Sequence, residues 1–297
     1  MPREFRASFG YLLLETASWQ GRTVDELLSE VAAPGRPEGV DALVFAMTRR
    51  QLQAVLHAFG MEDVVPVEQY GTRFYRGRVH SVARNAALNV VVVGVGRTSD
   101  STPERAIGDA LWLFSARTYF VIDTVATLSG KIALGDVLIP QRVAVDDGLP
   151  DVRGSPRPFE LPATMADRIQ TYSPARTAYH RTLNAAIDCA APHLRLMQKF
   201  KANPEPTVHR GGVALSVRLD EPSKEAAGSP ALAITRRQAR GVFEWLMGKP
   251  WVAFYGVSHH PGKPESKPWE YAAAVSASAA AYDFLVHQFE SPGGPVF

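Results

Sequence analysis

Lys131-Ile-Ala-Leu-Gly-Asp-Val-Leu-Ile-Pro140 combines a Gly-Asp turn with the start of an apolar strand, and it follows an earlier glycine turn in Val90-Val-Val-Val-Gly-Val-Gly-Arg97. The β-branched run before Gly94 is typical of a buried strand. A helical segment and another apolar strand follow it, and the Gly-Asp turn then starts a third strand. Strands that alternate with helices in this way predict an α/β fold with a mainly parallel sheet and helices on both sides.

The remaining segments extend this alternation. Apolar runs predict strands at 41–47, 72–79, 89–93, 119–125, 137–145 and 251–257, with a strand or hairpin at 207–218. Apolar residues at helical spacing predict helices at 49–59, 103–115, 236–247 and 269–289, and a mostly helical segment at 163–200. Residues 146–162 are rich in proline, glycine and charge, which indicates a surface loop.

The composition is that of a globular protein. Of its 297 residues, 46% are apolar and 21% are charged, so the chain can bury a sizeable core. We interpret residues 1–39 as an N-terminal helical extension and linker, because Thr23 is a good N-cap residue and Pro34-Gly-Arg-Pro-Glu-Gly39 interrupts regular structure. Residues 40–297 form the main domain.

Charge, hydropathy and cysteine content argue against several classes of function. A net charge of +2 gives no basis for nucleic-acid binding, and no apolar run reaches the length that spans a bilayer. Tyr11-Leu-Leu-Leu14 is too short for the core of a signal peptide, so we expect a cytoplasmic protein. The single cysteine, Cys189, excludes an internal disulfide framework and a cysteine-rich zinc site, and we interpret it as a packing residue.

The first glycine turn is a candidate ligand contact. Gly94 and Gly96 let backbone N–H groups approach an anion, while Arg97, Thr98 and Ser99 add a positive charge and hydroxyl groups. A dinucleotide fingerprint is an alternative, but its third glycine would fall at Ser99. A plain tight turn, an anion or ribose contact and a dinucleotide site therefore all stay open.

Several short motifs occur in a characteristic order along the chain. They are Ala46-Met47, Gly94-Val-Gly96, Leu134-Gly-Asp-Val-Leu-Ile139, Gly212-Val-Ala-Leu-Ser216, Lys249-Pro-Trp-Val-Ala-Phe-Tyr-Gly-Val-Ser258 and Trp269-Glu-Tyr-Ala-Ala-Ala274. In this order they resemble the purine nucleoside phosphorylase and nucleosidase superfamily.

The resemblance implies a specific architecture and activity. It implies a central mixed, mainly parallel, barrel-like twisted sheet flanked by helices in three layers, with a ligand site at the strand ends. It also implies homo-oligomers whose neighbouring subunits complete the pocket. Members of the superfamily cleave the N-glycosidic bond of nucleosides with phosphate or water, so no cofactor is expected and phosphate is a candidate co-substrate.

The residues that carry this chemistry in the superfamily differ here. The resemblance places a catalytic aspartate after the serine of the late strand, where this chain has Ser258 followed by His259. It places a ribose-binding glutamate at Arg236, and a water-activating glutamate at Arg50. The pocket segment Ala-Gly-Gly of the superfamily corresponds to Thr124-Val-Ala-Thr127.

These replacements define the candidate site residues. His259 and His260 are the candidate general acids, since an unperturbed histidine titrates near neutrality. Four arginines are candidates to hold an anionic ligand. Thr98 and Ser99 are candidate ligand contacts, and five further residues join them. The arginines are Arg50, Arg97, Arg236 and Arg237, and the further contacts are Gly94, Gly96, Thr127, Ser258 and Glu244, the last as a displaced ribose binder. No metal site is expected.

Three functions follow from this sequence. The first is an enzyme with a remodelled site that acts on a nucleoside, a nucleotide or a related glycosylated heterocycle. The second is a non-catalytic ligand sensor or interaction protein on the same scaffold. The third is an unrelated small-molecule biosynthetic reaction that reuses the pocket, because a fold alone does not determine function.

Overall fold

The computed structural model describes residues 37–96, 102–145, 157–174, 206–216, 231–235, 238–260 and 267–288. The main compact unit spans residues 39–297. The predictions for the first 36 residues and for Arg97, Thr98, Ser99, Cys189, Arg236 and Arg237 fall outside the described residues.

Helices and strands alternate through the described part of the chain. Its strands are β1 (Glu38–Ala46), β2 (Val67–Gln69), β3 (Thr72–Ser81), β4 (Ala86–Gly94), β5 (Phe114–Thr127), β6 (Val137–Ile139), β7 (Arg142–Val145), β8 (Arg157–Glu160), β9 (Val208–Arg210), β10 (Val213–Ser216), β11 (Ala231–Thr235) and β12 (Trp251–His259). Its helices are α1 (Arg49–Ala58), α2 (Pro103–Leu113), α3 (Ala163–Thr171), α4 (Gln238–Trp245) and α5 (Lys267–Gln288).

Both early helices begin where their sequences predict. The side chain of Thr48 caps α1 by accepting a hydrogen bond from the Gln51 amide at 3.3 Å. Thr102 caps α2 in the same way at 3.3 Å, and Pro103 occupies the first turn, where its missing N–H has no consequence. Each helix therefore starts directly after a strand end or turn, which brings its first turn to the edge of the sheet.

The sheet is mixed and is centred on parallel strands. β4 pairs in parallel with β1, β5 pairs in parallel with β12, and β1 lies between β4 and β5. These strands are buried along most of their length, as expected for strands that helices cover. Helix α5 packs on β12 and β5, and it also packs against α1.

Two bent strands give the sheet its barrel-like form. β6 and β7 are separated by two residues, as are β9 and β10, and the pairs run side by side: β6 pairs with β9 and β7 pairs with β10, both in parallel. β6 and β9 are the first halves of the two bent strands, and they connect to β12 through the pairing of β6 with β12. β7 and β10 are the second halves, and they connect to β5 through β11, which pairs with both β10 and β5. Since β5 and β12 are themselves paired, the sheet curls back on itself.

The predicted mixed sheet with flanking helices is confirmed, and some boundaries are wrong. Strand β5 begins at Phe114, inside the predicted helix 103–115, because the β-branched and aromatic residues that follow favour the sheet. The predicted loop 146–162 contains β8, which pairs antiparallel with β7. Residues 207–218 do not form a hairpin, since both halves pair with other strands.

Candidate functional site

Strands β1 and β4 end together at one edge of the sheet, beside the second half of β5, which pairs with β12. The amide of Val95 donates to the carbonyl of Ala46 at 2.8 Å, so β4 and β1 end together. The amide of Met47 donates to the carbonyl of Ile122 at 3.3 Å, which connects the end of β1 to β5. We call this edge the strand-end site. Its members are Met47, Arg50, Gln51, Gly94, Gly96, Asp123, Thr124, Thr127, Tyr255, Ser258, His259 and Glu270.

The second glycine of the first turn has a packing role. A Cβ atom at Gly96 would fall 2.4 Å from the carbonyl oxygen of Met47, closer than any side chain tolerates. Because Gly96 has no side chain, the chain after β4 can lie against the backbone of Met47, two residues before α1 begins. This close approach accounts for Gly96 without a ligand, in agreement with the tight-turn interpretation.

A buried amide connects α1 to the middle of β5. The Gln51 side chain is fully buried, and its Nε2 donates to Asp123 Oδ1 at 2.9 Å and to Thr124 Oγ1 at 3.2 Å. Asp123 Oδ1 also accepts from the Thr124 amide at 2.8 Å. Buried polar groups of this kind are stabilising only when they are hydrogen-bonded, so the contact fixes the first turn of α1 on β5.

Tyr255 lies beside this carboxylate on the adjacent strand. It pairs with Asp123 in the β12–β5 register, and its hydroxyl is buried with no hydrogen-bond partner within the part of the chain that is described. Burial raises the pKa of the Tyr255 phenol well above its ordinary value of 10, and the charge of Asp123 raises that pKa further. The phenol therefore stays neutral near pH 7.

Arg50 forms an ion pair across the site. Its guanidinium donates to the Glu270 carboxylate in the first turn of α5. The Arg50 side chain is 35% exposed, whereas the Glu270 side chain is 10% exposed. The positive charge predicted to attract an anion is thus compensated by a carboxylate that the sequence alone does not single out.

A β-bulge shapes the end of β12. Val257 pairs with Val125 and His259 pairs with Ala126, so β12 uses two residues where β5 uses one. The buried Ser258 hydroxyl lies 3.3 Å from the Val125 carbonyl oxygen and 2.8 Å from His259 Nδ1. His259 and His260 are both half-buried. The bulge thus places a histidine at the end of β12, beside the end of β5.

Two other predicted contacts have local roles. Thr127 is buried at the end of β5, where its hydroxyl accepts from the Ser129 amide at 3.1 Å and donates to the Ser129 carbonyl at 3.2 Å. This is a side-chain turn of the kind that threonine favours. Glu244 is exposed on α4, while its neighbours Val242 and Phe243 are buried, so α4 directs its apolar face inward and Glu244 outward.

The Gly-Asp motif organises the strands beside the site. Asp136 accepts hydrogen bonds from the amides of Ala133 and Thr207, each at 2.9 Å, and contacts His209 Nε2 at 2.8 Å. Its backbone pairs with Val257 of β12. The carboxylate therefore ties the motif's own turn to the start of β9, and the backbone of the same residue ties the motif to the late strand, which gives the motif a structural role.

A separate cavity lies at the bend of the two bent strands. It has a volume of about 220 Å³, and Gln141, Leu161, Ile169 and Arg210 are among the residues that line it. Arg210 Nη1 donates to the carbonyls of Gln170 at 2.8 Å and Tyr172 at 2.6 Å at the end of α3. Its charged group thus serves the local structure, and none of the predicted site residues that the structure describes lines this cavity.

No protein-family model matches the chain, and no curated protein matches it. Solved structures do match. A 5′-methylthioadenosine/S-adenosylhomocysteine nucleosidase from Neisseria meningitidis, in complex with methylthio-immucillin-A, has a TM-score of 0.56 at 14% identity, over 83% of this chain and 99% of that chain. A futalosine hydrolase from Helicobacter pylori has a TM-score of 0.56 at 13% identity, over 83% and 97% of the two chains.

Another 5′-methylthioadenosine/S-adenosylhomocysteine nucleosidase also matches the chain. The enzyme from Colwellia psychrerythraea, in complex with adenine, has a TM-score of 0.53 at 13% identity, over 84% of this chain and 95% of that chain. The chain has the nucleosidase fold. The predicted resemblance is thereby confirmed at the level of the fold, and the likeness covers nearly the whole length of each neighbour.

The structure places several of the predicted residues at strand ends. Gly96 contacts Met47 at the end of β1, and His259 and Ser258 lie against the end of β5. Within the described ranges no group of three or more His, Cys, Asp or Glu side chains could hold a metal ion. No helix in the same part of the chain is long and apolar enough to cross a membrane.

Proposed function

We propose that the protein binds a nucleoside or a related glycosylated heterocycle at the strand-end site and cleaves its N-glycosidic bond, with His259 as the general acid. The observation that carries the proposal is the β12 bulge, which places His259 beside Ala126 at the end of β5. The fold supports the class of ligand, because matching structures hold methylthio-immucillin-A or adenine.

The proposed reaction balances with groups of the chain and water. The bond between the sugar C1′ and the heterocycle nitrogen breaks, and its electron pair goes to the heterocycle, which takes a proton from the His259 imidazolium. A water oxygen bonds to C1′, and the proton that the water loses returns to His259. With phosphate as co-substrate, an oxygen of hydrogen phosphate bonds to C1′ in place of the water oxygen, and the proton that the phosphate loses as the sugar phosphate dianion forms returns to His259.

The contacts of α1 favour a ligand that is neutral beside that helix. The charge of Arg50 is compensated by Glu270. An anionic ligand would therefore depend on Arg97, Arg236 and Arg237, which are proposed contacts. The cytoplasmic location, the homo-oligomeric assembly and the domain boundary after residue 39 also stay predictions.

A second function is favoured by Arg50. In the superfamily that this chain resembles, the hydrolytic branch is expected to carry a water-activating acid at the position of Arg50. This chain instead has an arginine that pairs with Glu270. A protein that binds the ligand without cleaving it fits that replacement, with His259 acting as a hydrogen-bonding group.

Release of the free heterocycle distinguishes an enzyme that cleaves the ligand from a protein that only binds it. The purified protein is incubated with nucleosides and nucleotides, with and without phosphate, and the products are separated by chromatography. His259→Asn should abolish release by the enzyme, whereas His80→Asn, on the exposed face of β3, should leave it unchanged. Saturable thermal stabilisation without release supports the binding protein. If no compound is cleaved and none shifts the melting temperature, both functions are rejected.

A further inference from the structure

The hydrogen bonds of Ser258 determine which nitrogen of His259 carries a proton. The Ser258 hydroxyl lies 3.3 Å from the Val125 carbonyl oxygen and 2.8 Å from His259 Nδ1. A carbonyl oxygen only accepts, and a hydroxyl has one proton to donate. Both bonds can exist together only if the hydroxyl donates to Val125 and His259 Nδ1–H donates to the Ser258 oxygen.

We propose that Ser258 is a positioning residue that holds neutral His259 in the Nδ1–H tautomer. Nε2 is then the nitrogen that accepts a hydrogen bond when the ring is neutral, and it carries the transferable proton when the ring is an imidazolium. The bulge is the reason for this arrangement, because it inserts Ser258 beside Val125 and brings its hydroxyl to the ring that follows.

This assignment has a consequence for the ligand, which depends on the proposed function. A neutral ring with its lone pair on Nε2 favours a heterocycle that presents an N–H or O–H donor to it. A heterocycle that presents only acceptor nitrogens binds well only when His259 is protonated. Ser258 thereby contributes to the choice of heterocycle without touching it.

The competing arrangement is well defined. If the Ser258 hydroxyl donates to Nδ1 instead, the shorter bond is kept and the bond to the Val125 carbonyl is lost. Neutral His259 would then carry its proton on Nε2 and would act as a donor. The two arrangements predict opposite protonation of the two ring nitrogens, which nuclear magnetic resonance distinguishes directly.

The test uses the full chain with ¹⁵N-labelled histidine. The His259 ring signals are identified by their loss in His259→Asn, and protonation is assigned from the ¹⁵N shifts at a pH at which the ring is neutral. We expect a protonated Nδ1 in the natural protein and in Ser258→Thr, which keeps the hydroxyl. Ser258→Ala should shift the population towards the Nε2–H tautomer that an unconstrained imidazole prefers. Ser276→Ala, a buried serine on α5, should change nothing.

The results that overturn the proposal are equally direct. A protonated Nε2 in the natural protein, or the same tautomer in the natural protein and Ser258→Ala, rejects it. If Ser258→Ala does not fold, the natural protein and Ser258→Thr still decide the tautomer. These measurements do not need turnover, so a failure of the proposed cleavage would leave them interpretable.

If a nucleoside is cleaved, steady-state kinetics also test the role of Ser258. Ser258→Ala should lower kcat by at least about tenfold with a smaller change in KM, because general acid catalysis depends on which nitrogen holds the proton. Ser258→Thr should restore most of the rate. Equal kcat in Ser258→Ala and the natural protein would show that Ser258 does not position the acid.

Discussion

Gly256 of β12 lies directly against the backbone of Ala273 in α5: a Cβ atom on Gly256 would fall 1.9 Å from the Ala273 carbonyl oxygen. This contact fixes how closely α5 approaches the sheet. Glu270 lies one helical turn before Ala273, so the same contact determines where the carboxylate that pairs with Arg50 is placed.

Gly256→Ala should therefore be strongly destabilising. The new methyl group meets backbone atoms of Ala273, which cannot rotate away, so the helix must move off the sheet. We expect the free energy of unfolding in urea to fall by about 3 kcal/mol, the upper range for overpacking a core.

Gly130→Ala is the matched control for this substitution. Gly130 is exposed, and a Cβ atom there would have no heavy atom within 4 Å, so its unfolding free energy should change by less than about 0.5 kcal/mol. Similar losses in both variants would mean that the contact with Ala273 is not what limits position 256.

The Arg50–Glu270 ion pair should contribute measurably to stability. We expect Glu270→Gln to lower the unfolding free energy by about 1 to 2 kcal/mol, since Arg50 then lies at a partly buried position without its partner. The loss stays below that of a fully buried pair because Arg50 is 35% exposed. A double-mutant cycle with Arg50→Met measures the coupling between the two side chains.

The pair between Arg142 and Glu160 provides the comparison. These side chains are 48% and 64% exposed and 2.7 Å apart, so solvent screens them and their coupling should be below about 0.5 kcal/mol. A coupling for Arg50 and Glu270 no larger than this would contradict a structural role for their ion pair.

Tyr255→Phe should stabilise the protein. The substitution removes a buried hydroxyl that lacks a hydrogen bond among the described residues, so we expect a gain of about 1 kcal/mol near pH 8. The pKa of Tyr255 is raised in the folded state, first by burial and then by Asp123. Above pH 10 the unfolded chain therefore loses this proton while the folded chain keeps it, and stability falls as the pH rises.

The advantage of Tyr255→Phe should accordingly grow between pH 8 and pH 10.5, because phenylalanine has no proton to lose. Tyr172→Phe is the matched comparison. The Tyr172 hydroxyl donates to Asp283 Oδ2 at 2.9 Å, so the same substitution there should cost about 1 to 3 kcal/mol. A loss of stability in Tyr255→Phe would indicate that its hydroxyl is hydrogen-bonded in solution.

The sequence predicts most of the central elements because their signals are local. The β-branched run before Gly94 and the helical spacing of apolar residues at 49–59 and 103–115 each specify an element within a few residues. The bends between β6 and β7 and between β9 and β10 depend instead on pairing with distant strands. For the same reason the sequence leaves a strand and a hairpin both open at 207–218, where the structure has the strands β9 and β10.

The polar contacts of the site are harder to predict for a related reason. Gln51 and Asp123 are 72 positions apart, and Arg50 and Glu270 are 220 positions apart, so no local pattern links them. A weaker signal is present: Asp123 is a lone carboxylate directly after the apolar run 119–122, and Glu270 lies in the first turn of an alanine-rich helix. Because a buried charge is costly unless it is hydrogen-bonded, such residues are candidates for buried polar contacts.

The carboxylate of the Gly-Asp motif should be essential for stability rather than for chemistry. Asp136→Asn replaces one carboxylate oxygen with an NH₂ group, which cannot accept a hydrogen bond from Ala133, Thr207 or His209 as the carboxylate does. We therefore expect the free energy of unfolding in urea to fall by about 2 to 3 kcal/mol. Asp63→Asn, at an exposed position, should change stability by less than about 0.5 kcal/mol. If Asp136→Asn is as stable as Asp63→Asn, the carboxylate of the motif does not hold its own turn and β9 together.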